Sequence, residues 1–289
     1  MEKSDIHKKI ECYLCGSDKI KFYREANGFI IKKCYACGLL WAPDVNANDI
    51  EKFYNSPDYF NSKSDMGYHN YLEEEQNHRR NADYILNLLN KFKDISFAKI
   101  LDFGCAFGFL LDCARKIKLC EVYGVEMSSS ARDYAFNKLK LTNIDDDITL
   151  SKKETNFFDA VFIIGTIEHL ISPLQTLCGI NRVLKQGGAL VMTTLDIKGI
   201  LPFYFLKPPE HLFYFNHVNI SLLLNKAGFK CLRKKTHFVY YRLYDLLYRL
   251  SKCPCLLFLG SFLERLKLSY LNLSFHIPTN EMFIIAEKI

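Results

Sequence analysis

The pattern of apolar and polar positions divides the chain into a long region of alternating elements and a shorter region before it. From residue 98 onward, apolar runs of strand length alternate with segments whose apolar residues recur at helical spacing. The predicted strands cover 98–104, 122–125, a weaker segment near 148, 158–164, 189–194 and 230–238, and the predicted helices cover 109–119, 129–140, 173–184 and 219–227. This alternation indicates an α/β fold with a doubly wound parallel sheet, which binds its ligands outside the carboxyl ends of the strands.

Four cysteines in two pairs dominate the shorter region. They are Cys12-x-x-Cys15 and Cys34-x-x-Cys37, and a glycine follows each pair. Two residues between thiolates allow both sulfurs to bind one tetrahedral ion, and the segment between the pairs has the size of a hairpin. Because about 40 residues bury too little apolar surface to fold alone, we expect a structural Zn²⁺ at these four cysteines. Redox-active pairs are the weaker interpretation, since neither pair opens a helix after a strand.

Three regions result from these patterns. They are a zinc ribbon over residues 1–45, a linker with an N-terminal helical segment over 46–92, and the α/β domain over 93–289. The linker is rich in tyrosine and phenylalanine, and packing of these rings on the next domain is favoured over a substrate cage. No run within an apolar insertion at about 240–278 reaches the roughly 18 apolar residues of a membrane-spanning helix. A substrate lid, a homodimer face and contact with a membrane surface all stay open for it.

Composition and charge narrow the class of protein further. The 289 residues are 49% hydrophobic and 24% charged, which is close to the average of soluble globular proteins. The first residues lack an apolar signal-peptide core and the 11 cysteines are an odd number, so a cytoplasmic protein with reduced thiols is expected. The net charge of +6 is spread without a block of like charges, and we expect no nucleic-acid partner.

The first strand of the α/β domain ends in a glycine-rich turn with the sequence Asp102-Phe-Gly-Cys-Ala-Phe-Gly108. Its glycines permit a tight turn and close approach of a ligand to the backbone. Glu126 ends the second strand, where a carboxylate accepts hydrogen bonds from the ribose hydroxyls of an adenosine cofactor. The dinucleotide fingerprint G-x-G-x-x-G is not met, because Ala106 takes the place of the second glycine and the spacing differs, so NAD is disfavoured.

These motifs resemble the class I S-adenosylmethionine-dependent methyltransferases. The resemblance covers about residues 71–289 and rests on the ordered segments 102–108, 126, 158–170, 184–190, 210–215 and 281–288. It implies a Rossmann-like seven-stranded sheet whose seventh strand, 281–288, is antiparallel. It also implies S-adenosylmethionine as the cofactor, bound by Asp102, Gly104, Cys105, Gly108, Glu126, Met127, Gly165 and Glu168.

Only proton removal from the acceptor requires a side chain in methyl transfer, and histidine is the first candidate. His211 is the candidate general base, oriented by Glu210; the two resemble the Glu-His pair of some deoxysugar C-methyltransferases, several of which carry an N-terminal zinc ribbon. A structural histidine bonded to backbone is the alternative. His169 is a second candidate, and with Glu168 it resembles the Glu-x-x-Glu-His metal cluster of ubiquinone-pathway O-methyltransferases. The first acid of that cluster is replaced by Gly165, so a pocket-shaping role is favoured over a metal site.

The resemblance to sugar C- and O-methyltransferases implies a small polar acceptor, a nucleotide-linked or polysaccharide-precursor sugar. O-methylation of an aromatic or isoprenoid substrate is the alternative within the same class, and the apolar insertion suits it. A protein that binds S-adenosylmethionine without turnover, or that uses its zinc ribbon for interaction, is the alternative of another class.

Overall fold

Two β-sheets organise the residues that the computed structural model describes, which are 11–46, 50, 59–60, 71–199, 206–243 and 273–289. The strands are β1 (Ile20–Ala26), β2 (Phe29–Cys34), β3 (Leu40–Trp41), β4 (Lys99–Phe103), β5 (Glu121–Val125), β6 (Ile144–Asp145), β7 (Phe158–Ile164), β8 (Leu184–Leu195), β9 (Phe213–Tyr214), β10 (Phe229–Arg242) and β11 (Ser274–Lys288). The helices are α1 (Glu75–Asn90), α2 (Phe109–Lys118), α3 (Ser129–Asn137), α4 (Pro173–Val183) and α5 (His217–Lys226), with short 3₁₀ turns at Leu72–Glu74 and Ile167–His169.

The large sheet has seven strands in the order β10-β11-β8-β7-β4-β5-β6. The strands from β8 to β6 pair in parallel, whereas β11 is antiparallel to both of its neighbours, β8 and β10. This order confirms the predicted α/β fold with an antiparallel seventh strand. We call the edge at which β4, β5, β7 and β8 end the carboxyl edge.

Burial on both faces of the sheet explains why β7 is an almost continuous apolar run. Phe158, Val161, Phe162 and Ile163 are fully buried. One apolar cluster covers the face that carries α4 and α5, and a second covers the face that carries α1 and α2. Parallel strands are buried in this way because crossover helices cover both sides of the sheet.

The weak strand predicted near residue 148 was misplaced. It lies at Ile144–Asp145, and the residues after it form a turn instead. The turn forms because the Asp147 carboxylate accepts hydrogen bonds from the backbone N–H groups of Thr149 and Lys152. A short acidic side chain that bonds to nearby backbone in this way competes with strand pairing.

Two further predicted boundaries were wrong. The helix after Ser128 ends at Asn137 and not at Lys140, which has a positive φ of 57°. The fifth parallel strand begins directly after α4, at Leu184 and not at residue 189, so the glycine pair lies inside β8. Ser128 is the N-cap of α3, and its side chain accepts a hydrogen bond from the backbone N–H of Ala131 in the first turn.

The small sheet has the order β1-β2-β3-β9, so its last strand comes from the α/β domain. Leu40 of β3 pairs with Tyr214 of β9, and Trp41 pairs with Phe213. The apolar cluster on the α4 and α5 face also includes Cys12, Leu14, Leu39 and Trp41 of the cysteine-rich region. The predicted ribbon and the α/β domain therefore share one sheet and one core.

The predicted insertion at 240–278 is narrower than expected, because strands occupy both of its ends. Tyr240 pairs with His276 and Arg242 pairs with Ser274, which extends β10 and β11 beyond the end of β8. The remainder of the insertion, residues 244–272, lies outside the described residues. Among the residues that the structure describes, no helix is both long and apolar enough to cross a lipid bilayer.

Part of the aromatic linker packs on the α/β domain. The ring of Phe60 lies edge-on to that of Phe107, with 4.7 Å between the centroids, and Tyr71 stacks on Phe107 at 5.2 Å. These contacts agree with the packing interpretation of the linker rings. The linker tyrosines Tyr54 and Tyr68 lie outside the described residues.

Helix α5 begins at His217, two residues before the predicted start, because Asn216 caps it. The Asn216 side chain accepts hydrogen bonds from the backbone N–H groups of Val218 and Asn219, and the Asn219 side chain accepts one from the Asn216 N–H. This reciprocal arrangement is a capping box, and it satisfies donors that have no partner within the helix.

Replacing Asn216 by alanine is expected to lower the free energy of unfolding by about 1 to 2 kcal/mol, because α5 loses its cap. Chemical denaturation measures this change. Val218→Ala in the first turn of the same helix is the control, since its side chain is 68% exposed and a change within about 0.5 kcal/mol is expected. An equal effect of the two substitutions would contradict the importance of the cap.

Candidate cofactor pocket and active site

The glycine-rich turn after β4 is folded tightly against the ends of β5 and β7. Gly104 and Gly108 have a φ of 83°, and Ala106 has a φ of 45°. The backbone N–H groups of Gly104 and Cys105 both donate to the carbonyl of Val125 at the end of β5. A Cβ atom on Gly104 would lie 2.6 Å from Oγ1 of Thr166, so a side chain has no room there. This turn needs glycine at its first position for both conformation and space.

Glu126 lies at the end of β5 and its carboxylate faces the glycine-rich turn. Its two oxygens accept hydrogen bonds from the backbone N–H groups of Ala106 and Ser128, each at 2.8 Å. Burial raises the pKa of Glu126, and these hydrogen bonds oppose that rise. A carboxylate has about four acceptor positions, so a carboxylate held by two backbone donors can still accept bonds from two hydroxyl groups.

Asp102 places a buried carboxyl group beneath the turn. Its Oδ1 atom is buried and has no hydrogen-bond partner among the described residues. Burial, and then the nearby charge of Glu126, raise the pKa of Asp102 to about 8. A buried carboxyl oxygen without a partner is costly, so this position favours a ligand group that donates hydrogen bonds or carries positive charge.

Gly165 leaves space at the end of β7. A Cβ atom built on Gly165 would meet nothing within 4 Å, and the residue has a φ of 56°. Its backbone N–H donates to Oγ1 of Thr193 on β8 at 2.9 Å, which fixes the turn. The open space above Gly165 and the bare Asp102 oxygen suit a small cationic group, and Glu126 suits a ribose. The residues present therefore fit S-adenosylmethionine.

Two other predicted cofactor residues are held by structural contacts. The Cys105 side chain points to β5, because a Cβ atom on Gly124 would lie 2.7 Å from its sulfur. Burial raises the pKa of Cys105 well above the ordinary value, so the thiol stays neutral. The carbonyl of Met127 accepts a hydrogen bond from the guanidinium group of Arg132 at 2.8 Å. The Cys105 side chain thus packs against β5, and a contact of this residue with the cofactor stays a prediction.

The two candidate histidines lie side by side at the carboxyl edge. The ring centroids of His169 and His211 are 4.8 Å apart and the rings are nearly perpendicular. Burial lowers the pKa of His169 to about 4, against hydrogen bonds to backbone that raise it. Burial also lowers the pKa of His211 well below 6.5, and the neighbouring His169 and Lys207 lower it further. Both rings are therefore neutral at pH 7 and able to accept a proton.

Glu210 contacts this pair through its backbone. Nδ1 of His169 donates a hydrogen bond to the carbonyl oxygen of Glu210 at 2.7 Å, which sets the tautomer of His169. The Glu210 side chain itself is buried. The backbone of Glu210 thus fixes His169, and the orientation of His211 by Glu210 stays a prediction.

Glu168 connects the 3₁₀ turn after β7 to two other segments. Its side chain accepts a hydrogen bond from Oγ1 of Thr194 at 2.9 Å, and its backbone carbonyl accepts one from Leu212 at 2.8 Å. Burial raises the pKa of Glu168 to about 8. The pocket-shaping role of Glu168 and His169 stays a prediction.

Thr193 and Thr194 were not predicted as part of the site, although both bond to residues that were. Two polar residues at the end of an otherwise apolar strand are the signal that was available in the sequence. Hydroxyl groups buried in a strand need partners, and Gly165 and Glu168 are those partners.

The four predicted metal ligands come together in the ribbon. The sulfur atoms of Cys12, Cys15, Cys34 and Cys37 all lie within 4.8 Å of one another. Cys12 is 3.6 Å from Cys37 and Cys15 is 3.5 Å from Cys34. Tetrahedral bonds of about 2.3 Å to zinc would place such sulfurs about 3.8 Å apart. The donor set and its spacing therefore fit a zinc ion with no open coordination position.

Comparison with known proteins gives the chain a family. A profile described as "Methyltransferase domain" matches residues 72–234, which run from the 3₁₀ turn before α1 into β10. A putative sarcosine dimethylglycine methyltransferase from Galdieria sulphuraria has a TM-score of 0.51 at 16% identity, over 72% of this chain and 85% of the other. At that identity the similarity supports the fold alone.

Two curated relatives are similar to part of the chain. A tRNA U34 carboxymethyltransferase of Desulfotalea psychrophila is 30% identical in an alignment of 149 residues that covers 47% of this chain and 46% of the relative. A ubiquinone biosynthesis O-methyltransferase of Xanthomonas oryzae pv. oryzae is 30% identical in an alignment of 117 residues that covers 36% of this chain and 45% of the relative. The chain thus spans about half the length of these relatives. With the profile match over more than half of its residues, the chain belongs to the methyltransferase domain family.

Proposed function

We propose that this protein transfers a methyl group from S-adenosylmethionine to a small polar acceptor, and that His211 is the general base. The observation that carries the proposal is the position of two neutral histidine rings at the carboxyl edge that also holds Glu126 and the glycine-rich turn. A nucleotide-linked or polysaccharide-precursor sugar is the proposed acceptor. Its support is the resemblance of the Glu-His pair and the cysteine ribbon to those of sugar methyltransferases.

The cofactor would be held by residues of three strand ends. Glu126 would accept hydrogen bonds from the ribose, Asp102 would face the amino group, and the glycine-rich turn with Gly165 would leave room for the methionine portion. When bound, S-adenosylmethionine supplies an electrophilic methyl group on a sulfonium. The described residues then have to orient the acceptor, exclude water and remove one proton.

His211 is suited to that proton transfer by its surroundings. The residue keeps part of its surface exposed, and burial of its imidazole lowers the pKa, so the ring is neutral at pH 7. His169 is fixed by its bond to the Glu210 carbonyl and lies against the His211 ring. It would shape the site and discourage protonation of His211 from solvent. The base would therefore be ready in its proton-accepting form before the acceptor binds.

O-methylation of an aromatic or isoprenoid substrate is the second candidate, and the ubiquinone biosynthesis relative favours it. The similarity to a tRNA U34 carboxymethyltransferase suggests RNA as a third class of acceptor. The spread of charge along the chain, in contrast, led us to expect no nucleic-acid partner. A screen for products heavier by one methyl group, over sugar nucleotides, phenols and RNA, separates the three. Methylation of phenols or RNA alone would overturn the sugar proposal.

We also propose that the four ribbon cysteines bind one structural Zn²⁺. Four thiolate ligands would leave no position for a substrate, so the ion would stabilise the fold and take no part in chemistry.

Glu126→Gln is expected to weaken the affinity for S-adenosylmethionine about 10- to 100-fold, because hydrogen bonds to a charged group contribute about 1.5 to 3 kcal/mol. Titration calorimetry measures the affinity for S-adenosylmethionine and for its demethylated product. Glu121→Gln is the matched control, since Glu121 is an exposed acid at the start of the same strand, and its affinity should match the wild type. Equal affinities of all three proteins would remove Glu126 from the cofactor site.

His211→Asn is expected to lower kcat about 10²- to 10⁴-fold while the affinity for S-adenosylmethionine changes less than about threefold, since general-base catalysis contributes that much. His217→Asn, at the exposed start of α5, is the control and should keep its activity. Full activity of His211→Asn would show that this ring is structural.

The pH profile of kcat/KM gives an independent test of the base. Protonation inactivates His211, so activity falls as the pH drops through the pKa of this ring. Because burial holds that pKa well below 6.5, the acidic limb is expected below pH 6.5, with no loss between pH 6.5 and 8 from this group. An acidic limb at or above pH 6.5 would be at odds with a buried, neutral base.

Metal analysis of the purified protein is expected to find about one zinc per chain. The double variant Cys12→Ser with Cys34→Ser should lose the metal. Cys178→Ser is the control because that thiol is exposed and distant in sequence from the ribbon. Retention of zinc by the double variant would exclude the four-cysteine site.

A further inference from the structure

The candidate base belongs to a segment that is bonded on both sides. We call residues 206–216 the base loop. Leu212, which directly follows His211, donates its backbone N–H to Glu168 at 2.8 Å on the side of the α/β domain. Its carbonyl accepts a hydrogen bond from the Ala42 N–H at 2.9 Å on the side of the ribbon. The backbone next to the base is thus fixed between the two parts of the molecule.

Tyr214 carries the ribbon contact to the base residue itself. Its side chain is fully buried and packs in one small cluster with Ile31 and Leu40 of the ribbon. Its hydroxyl donates a hydrogen bond to the carbonyl oxygen of His211 at 2.8 Å and accepts one from the Lys207 N–H at 3.2 Å. Tyr214, which packs against ribbon side chains, is therefore bonded to Lys207 and His211, the two ends of the turn that carries the candidate base.

Contacts near the metal ligands extend this connection. Tyr13, next to Cys12, packs on Phe213 of the base loop with 5.0 Å between ring centroids. Asn216 donates a hydrogen bond to the carbonyl of Gly38 at 3.4 Å, and Gly38 directly follows Cys37. At the far end of the ribbon hairpin, the Asn27 side chain donates to the carbonyl of Pro208 at 2.9 Å. The ribbon thus contacts the base loop along its length.

We infer that the four-cysteine ribbon is a positioning element of the active site, which holds the base loop and through it the ring of His211. Metal loss is expected to disorder the two turns that hold the four thiolates, because a bound metal stabilises the segment that supplies its ligands. Tyr13 and Gly38, next to two of those ligands, contact the base loop, so its contacts with the ribbon would loosen. A displacement of about 1 Å in a reacting group lowers the rate about 10²-fold. Asp102, Gly104 and Glu126 stand on β4, β5 and their turns, whereas the contacts above join the ribbon to the base loop, so cofactor affinity is expected to change little.

Removal of zinc from the purified full chain by a chelator is the first test. Amide hydrogen exchange is expected to increase in residues 206–216 and to stay unchanged in 99–108 and 121–128, and the affinity for S-adenosylmethionine should change less than threefold. Turnover should fall at least 10²-fold through kcat, with the KM of the acceptor unchanged within about threefold. Unchanged exchange in the base loop after zinc loss would overturn the inference.

Tyr214→Phe tests the same connection with the cysteines intact, which decides the matter if the metal-free chain unfolds. Zinc content, circular dichroism and cofactor affinity should equal the wild type, whereas kcat should fall about tenfold and exchange in the base loop should increase. Tyr35→Phe is the matched control, because this ribbon tyrosine is 57% exposed, and it should leave both quantities unchanged. Wild-type exchange and kcat in Tyr214→Phe would contradict a positioning role.

The inference rests on the proposed function only where it takes His211 as the base. If base-loop exchange responds to zinc and to Tyr214→Phe while His211→Asn keeps full activity, the ribbon positions the loop and the proposed base is wrong. If His211→Asn is inactive and base-loop exchange responds to neither change, the base stands and the positioning role of the ribbon is refuted. The two failures are therefore distinguishable by experiments on the same proteins.

Discussion

Parallel pairing of β4, β5, β7 and β8 is the constraint on which the site depends. Strands that run in one direction end at one edge, so Asp102, Glu126, Gly165 and Thr194 come together although they are far apart in the sequence. Crossover helices bury both faces of these strands, which leaves the edge as the place where polar groups can meet a ligand. The fold therefore requires the ligand site to lie at this edge.

Burial at this edge shifts the pKa values of acids and bases in opposite directions. Burial raises the pKa values of Asp102 and Glu168 to about 8 and lowers that of His169 to about 4, so each group tends toward its neutral form at pH 7. A cationic ligand group beside Asp102 would favour the ionised carboxylate and lower this pKa. Binding of such a group at neutral pH is then coupled to release of a proton from the site.

The sequence was informative where a pattern is local. The apolar run 158–164 predicted β7 to the residue, and the spacing of the cysteines predicted their cluster. The two-residue strand β9 carries no such signal, because Phe213–Tyr214 becomes a strand only by pairing with β3 from another part of the chain. The sequence also could not show that the Glu210 backbone contacts His169. Every residue carries the same backbone carbonyl, so the residue type at position 210 gives no signal for this bond.

The small sheet takes its last strand, β9, from the α/β domain, and this limits where the chain can be divided. The region that matches the methyltransferase profile starts after the cysteine ribbon but contains β9, which completes the ribbon sheet. Cutting the chain at that boundary would expose the edge of β9 and the apolar side chains that Trp41 and Leu39 cover. During synthesis one edge of β3 stays unpaired until the segment after β8 has emerged, because β2 pairs with the other edge and β9 follows β8 in the chain. Ribbon and methyltransferase domain are two units in sequence and one unit in folding.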